Sequence, residues 1–527
     1  MATTTLIIFF TLSIGLMILL PVILAALLRR RFQTPWLLFM VGTLTFIGSQ
    51  VVHLPLNEWL ADRHLLPAAG WNDPSVPLWQ TALLLGLTAG LCEETARAVG
   101  YWILKRVRAF DEGLMLGLGH GGVESMIFGG VLTAATLTSL LPLSSVDLET
   151  LKLSADQLAA LQMQLEALRV TPLLAAASPL IERLLAMIIH IVFSMMVLQA
   201  FRRRNAGYYG LAVGYHALID AAAVYASAVV NNHFLVLLLF VFLGAPGVFW
   251  LFLLGRKEIL PKRLASRALG LEWQVFLAAF SKELLLQWRT RRVLVVMAVF
   301  VLFGLTSPLT AKYTPEIIKS VAGAEQFASL IPTPSVADAM AQYIKNITQF
   351  GFMLAVLLGM NAVAGEKESG TAAIILSKPM PRWAFLLSKF GAQALVYLAA
   401  FAVAGLGAFY YTLILFGPFD ALRFLAINLL LFLWLLTFVA AALLGSVIGV
   451  SVASAAGVGL VISVAFMLAG TIPQYGALMP GGLMTWASLL GASAETAPAN
   501  GGALAGSLVL ITLCLLWAAA LFEQQEI

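Results

Sequence analysis

Leu91-Cys92-Glu93-Glu94-Thr95-Ala96-Arg97 sets two adjacent carboxylates and a guanidinium inside an apolar run from about Leu78 to Leu104. At ~1.5 Å per residue that run is long enough to cross a bilayer. An ionised side chain at the centre of a membrane helix costs roughly 2.5 to 3.5 kcal/mol on insertion scales, so such a trio is kept only where partners stabilise it or chemistry needs it. Glu93 and Arg97, four residues apart, share one helix face, while Glu94 is turned ~100° away. Its partners are expected on other helices.

The surrounding chain has the composition of a membrane protein. Of 527 residues, 61% are hydrophobic and 11% charged, and the mean hydropathy is +0.94. Apolar runs of about twenty or more recur along the whole length, which excludes a soluble globule and predicts an all-α polytopic protein. The net charge of +5 does not point to nucleic acid, because Lys and Arg gather at the ends of apolar runs, as topology requires. Cys92 and Cys514 stand alone in separate runs, so neither a disulfide framework nor a CxxC motif can be drawn. The first run, Leu6 to Leu28, has no basic residue before it and Arg29-Arg30-Arg31 after it. That is the reverse of a secretory signal and predicts a retained anchor with its N-terminus outside.

Seven spans are expected in the first half, roughly 5–28, 36–53, 78–104, 112–140, 179–201, 207–229 and 233–254. Basic clusters at Arg29 to Arg31, Lys105 to Arg108, Arg202 to Arg204 and Arg256 to Arg263 follow spans one, three, five and seven. One threading puts them all in the cytoplasm. The segments Pro55 to Pro77 and Leu143 to Ser178 then lie outside. In the second of these, Ser154 and Gln157 have capping-box spacing, and Leu158, Leu161, Leu165 and Leu168 follow at helical intervals. A short amphipathic surface helix is expected there.

A basic, Pro-containing connector over residues 255–270 marks the expected boundary between a first domain, 1–254, and a second, 271–527. Phe276, Phe280, Leu284 and Trp288 form an i, i+4 apolar row among charged neighbours, the pattern of an interfacial helix. Six more spans follow, roughly 293–311, 346–365, 383–416, 421–450, 454–471 and 502–521. The expected total of about thirteen puts the C-terminus inside.

Within the first domain, His120, His190 and His216 are embedded in spans four, five and six. Counted from the cytoplasmic ends, they and Glu93 lie about eight to eleven residues deep, a common level to within roughly 5 Å. His120 with Glu124, and His216 with Asp220, each place a carboxylate one turn on from an imidazole. Gly117, Gly119, Gly121 and Gly122 around His120 predict close backbone approach or local unwinding. A carboxylate beside imidazoles in a low-dielectric cavity can take a proton from water, and a second His with its Asp can stabilise an oxyanion. The same side chains suit zinc, with His120, His190 and His216 as the ligands, although no HExxH is present. An ion pair of Glu93 or Glu94 with Arg97 that only fixes packing is the structural alternative. His53, His64 and His233 are read as loop-end residues without a functional signal.

At these residues a resemblance enters. Glu93-Glu94-Thr95-Ala96-Arg97, Gly117-Leu118-Gly119-His120-Gly121-Gly122-Val123-Glu124, His190 in Ile188-Ile189-His190-Ile191-Val192, and Tyr215-His216-Ala217-Leu218-Ile219-Asp220 resemble the four motifs of the YhfC family of intramembrane proteases. That family is similar to the PrsW and CAAX prenyl protease superfamily, regarded as glutamic peptidases. The resemblance covers about residues 1–254. It implies Glu93 as base, His120 as its water-binding partner, and His216 with Asp220 on the oxyanion side; Glu94, Arg97, Glu124 and His190 complete the candidate set. The second motif and the Arg spacing differ from those of the prenyl proteases. Related folds include a non-catalytic subunit of gamma-secretase, so a scaffold role stands as a rival.

The second domain contains no GxxxxGK[ST] motif and therefore no P-loop for ATP. Glu366-Lys367-Glu368-Ser369-Gly370-Thr371, then Leu376-Ser377-Lys378-Pro379, Arg382 and Lys389, resemble the cytoplasmic turn of type 2 ABC transporter permeases. The resemblance covers about residues 270–527 and implies a separate ATP-binding subunit, with Glu366, Lys367, Glu368, Gly370, Thr371 and Arg382 coupling to it, and a homodimer. The combined expectation is a membrane peptidase joined to an exporter permease in a bacterial or archaeal plasma membrane. A peptide or membrane-protein substrate and membrane lipid are its expected partners. No cofactor is required in this chain, and zinc is the alternative.

Overall fold

The computed structural model describes residues 2–67, 75–143, 158–159, 161–163, 165–166, 177–230, 232–259, 269–319, 333–378, 380–473, 475–492 and 498–526. No strand occurs among them. The fold is all-α, with two compact units: residues 1–134 with 147–266, and 135–146 with 267–527. Among the described residues, twelve helices are long and apolar enough to cross a membrane.

In the first unit the site is carried by α2 (Trp36–Asp62), α3 (Leu78–Ile103), α4 (Phe110–Glu124), α6 (Ser178–Arg203) and α7 (Gly207–Val229), with α1 (Ala2–Phe32) and α8 (His233–Ile259) beside them. The helix α3 is not among the twelve. Its 26 residues reach ~39 Å at 1.5 Å each, but the Glu93, Glu94 and Arg97 charges lower its hydropathy. Adding α3 to the twelve gives each expected span a helix.

Glycine decides how α4 packs. A Cβ on Gly119 would lie 2.0 Å from the Phe39 carbonyl oxygen of α2, and one on Gly42 would lie 2.1 Å from the Leu116 oxygen of α4. Gly117 and Gly121 face α6 just as closely, with hypothetical Cβ contacts of 2.8 Å to Ile191 and 2.9 Å to His190. Close approach is therefore the role of these glycines. The helix is not unwound at them; its irregular turn comes after Glu124, where Ser125–Leu132 adopt a π-helix that leads into α5 (Thr133–Leu143).

The ends of two helices lie beyond their expected boundaries. The helix α2 continues past residue 53 to Asp62 with Pro55 inside it, since freed backbone groups in a membrane helix find other partners. The helix α8 extends to Ile259, so the expected connector loses its first residues, and residues 260–268 lie outside those described. The amphipathic surface helix expected around residues 154–168 also falls largely outside them.

The second unit holds α9 (Leu269–Arg289), α10 (Arg292–Lys319), α11 (Val336–Gly359), α12 (Ala364–Glu368), α13 (Thr371–Leu376), α14 (Arg382–Phe416), α15 (Ala421–Ile448), α16 (Val452–Ala469), α17 (Gly481–Gly491) and α18 (Gly501–Gln524). The helix α11 begins ten residues before the expected start at 346. Ser335 caps it, donating from its backbone N–H and hydroxyl to Asp338 at 2.8 and 2.7 Å. The core is formed by α10, α11, α14, α15 and α17 around Phe300, Tyr343, Tyr397 and Leu435, all buried. The short helix α17 is an addition that the hydropathy pattern does not predict.

Candidate functional site

Four helices of the first unit, α3, α4, α6 and α7, bring all eight expected side chains into one connected cluster. His120 Nε2 lies 3.0 Å from Glu93 Oε2. The Thr45 hydroxyl donates to the Gly42 carbonyl at 2.7 Å and lies 2.9 Å from His120 Nδ1. A hydroxyl has one proton to give. If Thr45 gives it to the Gly42 carbonyl, His120 carries its proton on Nδ1, and Nε2 meets Glu93 as an acceptor that needs a shared proton or a cation; if Thr45 gives it to Nδ1, Nε2–H donates to the Glu93 carboxylate.

The second carboxylate is differently placed. Glu94 pairs with Arg97 at i, i+3, and its Oε1 accepts from His216 Nδ1 at 2.7 Å. Arg97 is 3.7 Å from Glu93, so the expected i, i+4 pair is the weaker one. Glu93 is drawn towards His120, and an i+3 partner also shares the helix face. Arg97 further contacts His190 Nδ1 at 2.5 Å, and His190 Nε2 contacts Glu124, whose other oxygen accepts from Arg183 at 2.8 Å. His216 Nε2 lies 3.3 Å from Asp220 and 3.9 Å from Glu93 Oε2, with Phe193 stacked on the ring at 4.5 Å.

Burial makes this cluster consequential. Glu94, Arg97 and His120 are each 0% exposed, and Glu93 is 6% exposed. Four carboxylates meet two guanidiniums and three imidazoles here. In a low dielectric, shared protons or a cation must carry the remaining negative charge. Glu93, His120 and His190 form a potential metal-ligand trio, with donor atoms all within 4.8 Å of one another. The expected zinc set of three histidines differs from it, with the Glu93 carboxylate in the place of His216.

Several contributors carried no signal of their own in the sequence. Thr45 fixes the His120 tautomer, Gln50 Nε2 donates to Glu93 Oε1 at 3.4 Å, and Arg183 anchors Glu124. His53 is not a loop-end residue: it lies inside α2, with Nε2 3.0 Å from Asn57 Nδ2 and 3.2 Å from Thr88 Oγ1. The i, i+3, i+7 spacing of Gln50, His53 and Asn57 was the available signal.

In the second unit the charged turn faces inward more than expected. Glu366 is held between Lys282 and Lys389, each at 2.8 Å, and Lys389 also reaches Glu283 at 2.9 Å. Lys367 donates to the Val447 carbonyl at 2.9 Å, and Arg382 donates to the Phe522 and Gln525 carbonyls at the end of α18. Glu368 accepts from the Val452 N–H at 3.0 Å. Gly370, at φ +72°, turns the chain between α12 and α13, and Thr371 is exposed beyond it. The expected interfacial row packs partly on protein, with Phe276 stacked against Trp383 at 5.9 Å. Beside that row on the same side of α9, Ala279, Glu283 and Gln287 are buried.

These features define a helical membrane protein with a buried acid–histidine centre in one domain and a separate multi-span helical domain. Residues 16–241 match the family described as YhfC intramembrane metalloprotease, and residues 277–488 match the ABC-2 family transporter protein. Among curated proteins, the chain is 30% identical over 257 residues to the uncharacterized transmembrane protein YxlG of Bacillus subtilis (strain 168), covering 48% of this chain and 99% of that protein. It is 27% identical over 248 residues to the uncharacterized membrane protein YhfC of the same organism, covering 46% of this chain and 95% of that protein. The chain belongs to the same family as YxlG, and it joins a YhfC-type membrane protease domain to an ABC-2 permease domain. A permease domain of this kind implies a separate ATP-binding subunit.

Proposed function

We propose that the first domain is an intramembrane endopeptidase of glutamic type, with Glu93 as the base. The observation that carries this reading is the 3.0 Å contact of Glu93 Oε2 with His120 Nε2, on a ring held by Thr45. Glu93 takes a proton from a water bound beside this pair, and the water oxygen bonds to the scissile carbonyl carbon. His216, oriented by Glu94 and Asp220, donates to the oxyanion. The C–N bond then breaks as the proton on Glu93 passes to the leaving amine. Arg97, Glu124 and His190 hold these groups in register.

A second reading is favoured by the family description and the spacing of the donor trio. Glu93, His120 and His190 fit zinc: a ring N–H pinned by a neighbouring oxygen is how ligating histidines are oriented. Arg97 would have to leave His190 Nδ1 for that ion. Zinc would supply a Lewis acid and a water of lowered pKa.

The permease domain then exports the cleaved product, or the substrate, with its ATPase partner, as a homodimer with the N-terminus outside and the C-terminus in the cytoplasm. The exposed part of the turn, Glu368, Thr371 and Ile374, is its docking face, while Glu366, Lys367 and Arg382 shape it from within. The test is cleavage of membrane-inserted peptides by purified protein, with and without a chelator. Cleavage unaffected by chelator is expected. Cleavage abolished by chelator transfers the case to zinc, and no cleavage at all leaves the scaffold role.

A further inference from the structure

The acid–histidine centre has two unlike ends. Beyond Arg97 the space is filled by Tyr101, Phe110, Leu116, Met195, Leu198 and Ala212, all buried and packed as one apolar cluster. Towards the other end, where α2 finishes and α3 begins, the facing surfaces are polar. Gln50, His53 and Asn57 lie about one turn apart on the α2 face that is turned inward. Thr88 of α3, buried, donates to Asn57 Oδ1 at 2.9 Å.

That row is incomplete in one respect. The Asn57 amide donates to His53 Nε2 at 3.0 Å, which puts the imidazole proton on Nδ1. His53 Nδ1 is buried and has no hydrogen-bond partner. A buried donor left unsatisfied is costly, and water is the usual remedy where polar groups converge. Asp220 stands at the same end, because α3 and α7 run antiparallel: Gly90 meets Val213 and Ala217, while Gly86 meets Ala217 and Ala221. Its side chain is 36% exposed, whereas the His216 side chain it contacts is 2% exposed.

We propose that Asn57, His53 and Gln50, with Thr88 opposite, form the water entrance of this centre, and that the Tyr101 end is its closed floor. Water enters from the end where α2 finishes and α3 begins, is held at His53 Nδ1, and passes Gln50 to reach Glu93. This deepens the peptidase reading by assigning the route of the second substrate of hydrolysis. Its test reads water access alone, so it stands or falls separately from cleavage.

The experiment uses the full chain in sealed vesicles, with Cys92 and Cys514 replaced by Ala and single cysteines added. A charged, membrane-impermeant thiosulfonate is supplied from either side. Arg63→Cys marks the side on which α2 ends, and Val52→Cys, at a position 60% exposed towards the apolar surround, is the control at similar depth. Asn57→Cys, Gln50→Cys and His53→Cys are expected to be modified only from the Arg63 side. Their rates should be roughly tenfold or more above that of Val52→Cys, since only a hydrated thiol ionises to react. Leu198→Cys should resist from both sides. Three positions are used so that one misfolded variant does not decide the result, and each is checked for a monodisperse profile. Unreactive cysteines at 50 and 57, modification from the opposite side, or rates no faster than at 52 would overturn the proposal.

Discussion

Thr45 is where a single hydroxyl sets the chemistry of the site. Thr45→Val keeps the shape but removes the hydrogen bond to His120 Nδ1, so the imidazole loses its fixed tautomer. Peptidase kcat is expected to fall about 10- to 100-fold with KM little changed; an unchanged kcat would show that the tautomer is set elsewhere. Arg97→Met acts on stability. It leaves Glu94, 0% exposed, without its cation, and removing one partner of a buried pair costs roughly 3 to 5 kcal/mol. A marked fall in thermal midpoint in detergent is the expected readout. The ionisable members of the cluster other than Arg183 were legible in the sequence because each is an expensive exception within an apolar run. Thr45 was not, since a threonine hydroxyl that bonds its own helix, here the Gly42 carbonyl, is ordinary in a membrane span.

At the scale of helices, α4 approaches α2 and α6 only because its glycines have no side chains. Gly119→Ala would drive a Cβ against the Phe39 carbonyl oxygen at 2.0 Å, where backbone rather than a flexible side chain must give way. Destabilisation of about 1 to 3 kcal/mol or more is expected, with loss of activity as Glu93 and His120 separate. Gly210→Ala in α7 meets nothing within 4 Å, so it should be neutral or stabilising by up to ~1 kcal/mol. Thermal unfolding of the two variants side by side checks the contrast. The number of membrane spans could be read from hydropathy because such spans announce themselves by length. The end of α2 could not, since Pro55 looks like a stop signal while the structure carries the helix on to Asp62. That misplaced end is also why His53 was assigned to a loop.

For the whole molecule, the chain couples two membrane domains and relies on an ATP-binding subunit supplied in trans. Ile374 is 68% exposed on the turn, and Ile374→Asp is expected to weaken co-purification of that subunit by about tenfold or more, as loss of an apolar anchor does. Lys389, 2% exposed between Glu283 and Glu366, acts from inside. Lys389→Met should lower the thermal midpoint while the subunit still binds. The inward pairing of Glu366 was not legible, because a charged turn reads as solvated until its neighbours in α9 and α14 are placed beside it. The central claim remains that Glu93 activates water for peptide hydrolysis, and its most direct measurement is single-turnover cleavage of a membrane-inserted peptide by wild-type and Glu93→Gln protein. The amide keeps size and hydrogen bonding but cannot take the proton, so cleavage should fall by ~100-fold or more with the fold intact. A Glu93→Gln protein that cleaves at the wild-type rate would contradict the account.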